Sequence, residues 1–310
     1  MVNKFTPDFK VEVNGKDVTE NVKKHLVSLS LKDEAGDTTD ELTLTFDNLY
    51  KRPAYEDKIK VWLGYKETGL YFCGTFLVQT TEKNQNSLRV SATSTNFTTE
   101  IKKKRNRSYE NISICDLVKK IADRNSLKYK CDFKDVFFKH LSQTDESDLN
   151  LLNRIAKMYN ATFNIKNDML IFMKKQGDND LPVFEIDKTK VSSWTIKYAN
   201  KTLYKSVKAT WHDTKENKQK EVIYGNGEPQ YVLQDTFKDE NEALKRAEGI
   251  LNFLNSGIVS GNLTIDGMNI IAGAKLKLNG FGEDDEEYSI KKVTHNLSGS
   301  GYTVRVEFEK

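Results

Sequence analysis

Short stretches of alternating apolar and polar residues dominate the first hundred positions of the chain. Leu42–Phe46 places two leucines and a phenylalanine on one side and two threonines on the other, and Ile59–Leu63 repeats the pattern. Successive side chains of a strand point to opposite faces, so this alternation predicts half-buried strands. Asn14 and Gly15 follow another such stretch and predict a hairpin turn. The regular spacing predicts a small antiparallel barrel or sandwich over residues 1–100.

The pattern changes to helical spacing in the next segment. Apolar residues recur every three or four positions over residues 114–122 and again over 151–159. Each set covers one face of a helix, because positions three and four apart lie on the same side. Ser113 and Ser147 stand where N-cap residues belong. Two helices are therefore predicted, with Ser113 and Ser147 as their caps.

Strands return after these helices, with one further helix among them. A hairpin with its turn at Asn167 and Asp168 follows the second helix, and alternation resumes at Val191. A third helix is predicted over 240–255, with Gly257 as its stop. The predicted fold is mainly β (α+β overall), with two similar small antiparallel β-barrels, an inserted α+β domain and a small helical insertion. The predicted domains are residues 1–100 (first barrel), 101–185 (α+β domain), 186–212 with 258–310 (second barrel) and 213–257 (insertion with one helix).

The two predicted barrels share one arrangement of strands and turns. The same number of positions separates Gly64 from Leu88 and Gly280 from Val304. Each region is predicted to contain a strand, a Gly-aromatic pair, a second strand, a hairpin and a third strand. This repetition predicts a chain with two matching modules. The simpler interpretation, that any two antiparallel regions share such alternation, stays open.

Composition and charge exclude several function classes. Apolar residues make up 37% of the chain and charged residues 30%, and no run approaches the roughly 20 apolar residues of a membrane span. Residues 1–10 contain no apolar run, so no secretory leader is predicted and synthesis in the cytoplasm is expected. The net charge of +3, from 48 basic and 45 acidic residues, is too balanced to predict nucleic-acid binding by overall charge.

The cysteine and histidine positions predict neither a metal site nor a cofactor. Cys73, Cys115 and Cys131 are widely spaced without a CxxC pair, which favours free thiols in a reducing compartment over a disulfide or zinc site. The four histidines are dispersed and show no metal-ligand spacing. We therefore predict no catalytic, cofactor-binding or metal-binding residues.

Two acidic clusters and one basic run each allow a functional and a purely structural interpretation. Asp145, Glu146 and Asp148 precede a predicted helix, which favours a helix-start role. The acidic run at 283–287 follows a glycine and favours a solvated loop. Glycosidase chemistry would instead need two carboxyl groups facing each other in a cleft. The basic run at 102–107 predicts a surface linker between domains, with contact to passing DNA as the alternative.

Short motifs follow one another along nearly the whole chain. The most specific combines Gln143, Glu146, Ser147 and Asp148. Further motifs occupy residues 14–19, 27–33, 40–42, 46–48, 61–65, 74–78, 151–156, 271–273, 278–281 and 293–296. In this order they resemble the late-control protein D family of phage tail proteins, which is related to the baseplate hub proteins of contractile tails and to the hub part of type VI secretion spike proteins. The resemblance implies that the four motif residues form a structural helix start.

The resemblance also implies a function without chemistry. Members of this family are trimers of two-barrel subunits that form a pseudo-six-fold ring between the six-fold tail tube and the three-fold spike. The implied partners are two further copies of the chain (a homotrimer), the tail tube protein, the central spike protein and other baseplate proteins, with DNA only as passing cargo. The implied location is the tail baseplate of a virion or of a phage-tail-like particle.

Two alternatives to the hub remain at this point. One is a cell-wall-binding or peptidoglycan-degrading tail protein that uses the acidic residues. The other is a type VI-like spike fragment, which needs a C-terminal needle. The pattern does not predict a needle after the last strands, nor an added lysozyme-like or peptidase-like segment.

Overall fold

The computed structural model of the chain describes residues 5–36, 38–94, 99–166, 169–175, 181–200, 203–213, 216–237 and 239–310. The chain divides into two compact units. The first unit comprises Met1–Phe97, Pro182–Ile196 and Gly261–Phe308, and the second comprises Thr98–Leu181, Lys197–Ser260 and Glu309–Lys310. None of the described helices is both long and apolar enough to span a membrane.

The N-terminal region consists of strands and one short helix, as its alternating pattern predicts. Its elements are β1 (Pro7–Val13), β2 (Lys16–Asp17), α1 (Thr19–His25), β3 (Leu26–Glu34), β4 (Glu41–Asp47), β5 (Lys58–Tyr65), β6 (Gly69–Lys83) and β7 (Ser87–Ser94). In β4, every second residue is buried, and these residues are Leu42, Leu44 and Phe46. The apolar side of the alternation therefore forms the core of this region.

The middle region contains the two predicted helices and their strands. Its elements are α2 (Thr99–Lys102), β8 (Lys104–Ser113), α3 (Ile114–Arg124), β9 (Lys128–Cys131), β10 (Phe137–Ser147), α4 (Asp148–Met158), β11 (Ala161–Lys166) and β12 (Met169–Lys174). Ser113 and Ser147 are the N-caps of α3 and α4. The predicted turn at Asn167 and Asp168 lies outside the described residues.

The C-terminal region returns to strands around one long helix. Its elements are β13 (Val183–Asp187), β14 (Val191–Tyr198), β15 (Ser206–Asp213), β16 (Lys218–Gly225), β17 (Gln230–Phe237), α5 (Glu240–Leu254), β18 (Val259–Asp266), β19 (Lys275–Asn279), β20 (Glu287–Ser298) and β21 (Gly301–Glu309). Single 3-10 turns lie at Lys188–Lys190 and Gly282–Asp284. The helix begins where the pattern predicts, and Asp239 caps it by accepting from the Glu242 amide.

One large sheet forms the first unit and contains two modules with the same strand order. The first module runs β3-β4-β7-β6-β5-β1, and the second runs β14-β18-β21-β20-β19-β13. The six strands of each module can be numbered in chain order, leaving out the short β2. Their order across the sheet is then two, three, six, five, four, one in both modules. The modules differ at their last pair, because β1 is antiparallel to β5 whereas β13 is parallel to β19. The repetition predicted from the sequence is therefore present in the strand order.

The predicted fold class is confirmed in its coarser part. The described strands make the chain mainly β, and most of the pairs in the large sheet are antiparallel. The described strands form open sheets. The closed barrels and the four domain boundaries stay predictions.

The second unit contains three smaller sheets. β10 pairs with β8, β11 and β9 flank β12, and β16 and β17 flank β15. The helix α5 packs on β15, β16 and β17, and a small apolar core includes Val207, Ala209, Ala243 and Ala247. The sequence assigns residues 207–211 to the second barrel, but the structure places them in β15, outside the large sheet. The reason is that β15 pairs with β16 and β17, and the start of β16 lies in the polar stretch at 213–220, which shows no alternation.

The basic run at 102–107 is not a linker. Residues from Lys104 onwards belong to β8, where Arg105 lies opposite Glu146 and Lys104 opposite Ser147 of β10. Lys104 forms an ion pair of 2.8 Å with Asp145, and Arg105 pairs with Glu100. The prediction was wrong because a row of cations is compatible with a strand when acidic side chains neutralise them.

Two of the three cysteines form a disulfide, contrary to the prediction of free thiols. Cys115 on α3 and Cys131 on β9 are bonded, with their Cα atoms 5.6 Å apart. They are 16 positions apart in the sequence, and the packing of α3 on β9 brings them together. Cys73 is free, and its burial raises the pKa of its thiol to about 12.

Reduction of Cys115–Cys131 is expected to lower the free energy of unfolding of the second unit by about 3 kcal/mol, because the crosslink closes a loop of roughly 15 residues in the unfolded chain. Thiol titration of the denatured, unreduced protein should detect one thiol, Cys73. The stability difference should persist in Cys73→Ser. Three titratable thiols before reduction would contradict the bond.

Candidate functional site

The four motif residues meet at the start of α4, around a buried carboxylate. Asp148 is fully buried. Its Oδ2 atom accepts a hydrogen bond of 2.6 Å from Arg124 Nη1, and its Oδ1 atom accepts one of 2.9 Å from Gln143 Nε2. The Gln143 amide also donates to the Glu146 carbonyl oxygen at 2.9 Å. An unpaired charge at this depth would be costly, so these contacts compensate the Asp148 charge.

Residues from β8 and α3 complete this cluster. The Tyr109 hydroxyl donates to Gln143 Oε1 at 3.2 Å, and Arg124 Nη2 donates to the same hydroxyl at 3.5 Å. Burial lowers the pKa of Arg124, but its hydrogen bonds to Tyr109 and Asp148 outweigh that effect and raise the pKa. We call Tyr109, Arg124 and the four motif residues the motif network. It connects β8, β10, α3 and α4.

The remaining two motif residues bind the first two turns of α4. Ser147 Oγ accepts a hydrogen bond of 3.1 Å from the Asn150 amide. Both carboxylate oxygens of Glu146 contact Arg154, Oε1 at 3.0 Å from Nε and Oε2 at 2.8 Å from Nη2. Such two-point pairs between arginine and a carboxylate hold both groups in a fixed geometry. The motif therefore joins a strand end to a helix start.

Replacement of Ser147 by alanine is expected to destabilise the second unit by about 1 kcal/mol, because the Asn150 amide loses its cap. Ser147→Thr keeps a hydroxyl acceptor at this buried position without adding a charge, and it should retain most of the stability. Urea unfolding of the two variants and the unchanged protein measures the difference. Equal losses in both variants would contradict a capping role.

The acidic clusters are engaged in structural contacts. Asp145 pairs with Lys104, and Glu146 and Asp148 pair with Arg154 and Arg124. In the other cluster, Asp285 Oδ1 accepts a hydrogen bond of 2.6 Å from the Phe281 amide within a 3-10 turn. Over the described ranges, no group of three or more His, Cys, Asp or Glu side chains is placed to hold a metal ion.

The second site lies where the two modules of the large sheet meet. β3 of the first module pairs antiparallel with β20 of the second, from Ser28 opposite Ser298 to Glu34 opposite Lys292. We call this ladder the module joint. Asp33 supports it, because its Oδ2 accepts a buried hydrogen bond of 2.9 Å from the Ala272 amide.

A buried group of polar aromatic side chains lies beside the module joint. Tyr71 of the first module and Tyr302 of the second are in hydroxyl contact. The Nδ1 atom of His295 lies 2.9 Å from the Tyr302 hydroxyl and 3.3 Å from that of Tyr71. Burial raises the pKa of both tyrosines, so both are neutral at pH 7. The two modules therefore meet here through the neutral hydroxyl groups of Tyr71 and Tyr302.

Sequence reasoning identified the motif residues but missed their partners. Arg124 and Tyr109 lie 24 and 34 positions from the residues they contact, and neither belongs to a recognisable motif. His295 lies within a family motif, but no pattern indicates that Tyr71 lies beside it. Alternation could have placed Tyr71 and His295 in strands, but it does not show that their side chains meet, because β6 and β20 are not neighbours in the sheet.

The chain is similar to proteins of phage tails. No family model matches it. The probable baseplate hub protein of Escherichia phage 186 is 25% identical over an alignment of 362 positions, which covers 98% of this chain and 93% of the relative. The predicted resemblance to phage baseplate hub proteins is therefore confirmed.

Solved structures share the fold at lower sequence identity. A tail protein from Neisseria meningitidis superposes with a TM-score of 0.71 at 12% identity, covering 99% of this chain and 97% of the other. A second structure is an E. coli component of the type VI secretion system, described as similar to phage T4 tail proteins gp27 and gp5. It superposes with a TM-score of 0.60 at 11% identity, and the match covers 96% of this chain and 76% of the E. coli chain. The same fold therefore occurs in tail proteins and in a secretion component.

Proposed function

We propose that this chain is a structural subunit of the baseplate hub of a contractile phage tail or a phage-tail-like particle. The observation that carries the proposal is the repeated strand order of the two modules. The similarity to a named baseplate hub protein over 98% of the chain supports it independently. The location that follows is the tail baseplate.

The duplicated module is suited to a position between a component with six-fold symmetry and one with three-fold symmetry. Three copies with two modules each present six similar modules around one axis. Such a ring matches a six-fold tail tube on one side and a three-fold spike on the other, and closed rotational symmetry is the common arrangement of soluble oligomers. We propose that the modules complete barrel-like walls in this ring, and that the tube protein, the spike protein and other baseplate proteins bind its faces. DNA would pass only as cargo.

The proposed role is mechanical and involves no catalysis. Three contacts support it. Asp148 and Glu146 of the motif neutralise Arg124 and Arg154, and Asp285 accepts a hydrogen bond that holds a turn. Each of these carboxylates therefore has a structural partner. The relative that the chain matches is likewise named for a structural role.

Mass measurement and a peptidoglycan zymogram test this function together. The purified chain should sediment as a trimer, alone or on addition of its tube protein, and should leave the cell-wall gel intact. Lysozyme in a neighbouring lane controls the gel. A chain that stays monomeric with its tube protein and clears cell wall would overturn the hub proposal.

A further inference from the structure

The second unit contains a cavity of about 400 Å³. Its walls come from the segment after β9, the segment after α4, the end of β12, β16 and one face of α5. All of its lining residues belong to the second unit. Small-molecule sites usually have volumes of about 300–1,000 Å³, so this cavity has the size of a ligand site.

Two residues that line the cavity carry buried polar atoms without a partner. Tyr159 is 6% exposed and Asn160 is 8% exposed. Within the described part of the chain, neither the Tyr159 hydroxyl nor the Asn160 Oδ1 atom has a hydrogen-bond partner. Buried polar groups are nearly always hydrogen-bonded, because an unpaired one is destabilising. Two such atoms at one cavity indicate a ligand that completes their hydrogen bonds.

Packing holds the Tyr159 ring in place without its hydroxyl. The ring meets Phe133 and Phe138 edge-on, at centroid distances of 6.2 and 6.0 Å. The Arg246 guanidinium lies over the ring at 5.3 Å from its centroid and donates to the Met158 carbonyl oxygen at 3.0 Å. The position of the ring is therefore fixed by its faces and edges, and the hydroxyl is left for another role.

The segment after β9, which forms part of the wall, is also fixed. Both carboxylate oxygens of Asp132 accept from the Lys174 amide, at 3.0 and 3.1 Å. Lys245 Nζ donates to the Asp135 carbonyl oxygen at 3.1 Å, and the disulfide at Cys131 joins the start of the segment to α3. A site that is formed in advance loses less free energy when a ligand binds.

The charges around the cavity are balanced. It is lined by three acidic and three basic side chains, which are Asp132, Asp135, Glu248, Lys174, Lys175 and Lys245. Several of them are already engaged, since Glu248 accepts from the Tyr224 hydroxyl at 3.2 Å and Lys175 pairs with Glu309 at 3.4 Å. The cavity therefore favours neither an anion nor a cation, and an uncharged ligand fits it best.

The unpartnered atoms define the chemistry of that ligand. The Asn160 oxygen needs a donor, and the Tyr159 hydroxyl can donate or accept. Sugar hydroxyl groups supply both. Phe133 and Tyr224 also line the cavity, and aromatic faces attract the C–H groups of a sugar ring.

We propose that this cavity binds a short uncharged saccharide. The Tyr159 hydroxyl and Asn160 Oδ1 are the atoms that recognise its polar groups. Because the cavity lies within one unit of one copy, this binding is independent of ring assembly and extends beyond the proposed hub function.

Isothermal titration calorimetry of the full chain tests the proposal with three trisaccharides, which are the N-acetylglucosamine trimer, cellotriose and maltotriose. At least one of them should bind. Tyr159→Phe removes only the hydroxyl and should weaken that affinity about tenfold, the effect of one lost hydrogen bond. Its melting temperature should not fall, because the hydroxyl has no partner within the described fold. Tyr129→Phe, at an exposed tyrosine outside the cavity, is the matched control.

A second variant removes the other recognition atom. Asn160 has a φ of 48°, which glycine adopts without strain, so Asn160→Gly removes the side chain and should also weaken the affinity about tenfold. Asn217→Gly is its control, since Asn217 has a φ of 49° and is exposed outside the cavity.

Three results would overturn the proposal. One is that none of the three trisaccharides binds in the millimolar range. Another is that inorganic phosphate or spermidine competes with the bound trisaccharide, which would indicate a charged ligand. The third is that Tyr159→Phe and Asn160→Gly bind as tightly as their controls. Sedimentation of the same proteins measures assembly separately, so the hub proposal stands or falls on its own result.

Discussion

Replacement of Asp148 by alanine is expected to lower the free energy of unfolding of the second unit by about 3–5 kcal/mol. The carboxylate is fully buried and accepts hydrogen bonds from Arg124 and Gln143. Its removal leaves a partly buried guanidinium and a buried amide without their acceptor. The cost is therefore that of an uncompensated buried charge. Hydrogen exchange, followed on peptides from α3 and α4, measures the loss within this unit.

Two variants separate the charge from the shape of this side chain. Asp148→Asn retains the volume and one acceptor, so it should cost less than alanine. Asp145→Asn, at a position between the motif residues, removes the charge of an exposed ion pair with Lys104, and such pairs contribute roughly 0–1 kcal/mol. Asparagine also tolerates the positive φ of this position. A loss in Asp148→Ala no greater than that in Asp145→Asn would contradict the role assigned to the motif network.

Replacement of Tyr302 by alanine is expected to destabilise the first unit by about 3–5 kcal/mol, as for other large aromatic residues in a core. The side chain is 3% exposed, and its hydroxyl is the shared contact of Tyr71 and His295. Gly267 leaves the space for its ring, since a Cβ there would lie 1.9 Å from Tyr302 Cδ1. The loss should appear as faster hydrogen exchange in β3 and β20, because this group lies beside the module joint.

Tyr302→Phe tests the hydroxyl alone. It keeps the ring and should cost about 1–3 kcal/mol, because two buried polar groups lose a partner. Tyr55→Ala removes a tyrosine that is 66% exposed and should change stability by about 0.5 kcal/mol or less. If Tyr302→Ala behaves like Tyr55→Ala, the polar aromatic group does not hold the modules together.

Local features of the fold could be predicted from the sequence because local physics decides them. Alternation in β4 and β5 identifies strands that bury one face. Ser113 and Ser147 identify helix starts, because a side-chain acceptor is needed there. The repeated spacing around Gly64 and Gly280 identified the two modules. Each of these inferences uses residues within a few positions of one another.

The rest depends on contacts between distant segments. The basic run forms a strand because acidic side chains pair with Lys104 and Arg105. Cys115 and Cys131 come together because α3 packs on β9. β15 belongs to a separate sheet because β16 and β17 pair with it. The partners of Asp148 and His295 likewise come from other elements. Composition and periodicity carry no information on such pairs, so the candidate sites could be predicted only in part.

Electron cryomicroscopy of the purified chain, with its tube protein added where needed for assembly, tests the duplicated module most directly. The predicted result is a ring of three copies around an open axis, in which first and second modules alternate at steps of about 60°. A particle in which the two modules of a chain occupy unrelated environments, with no shared axis, would contradict the account.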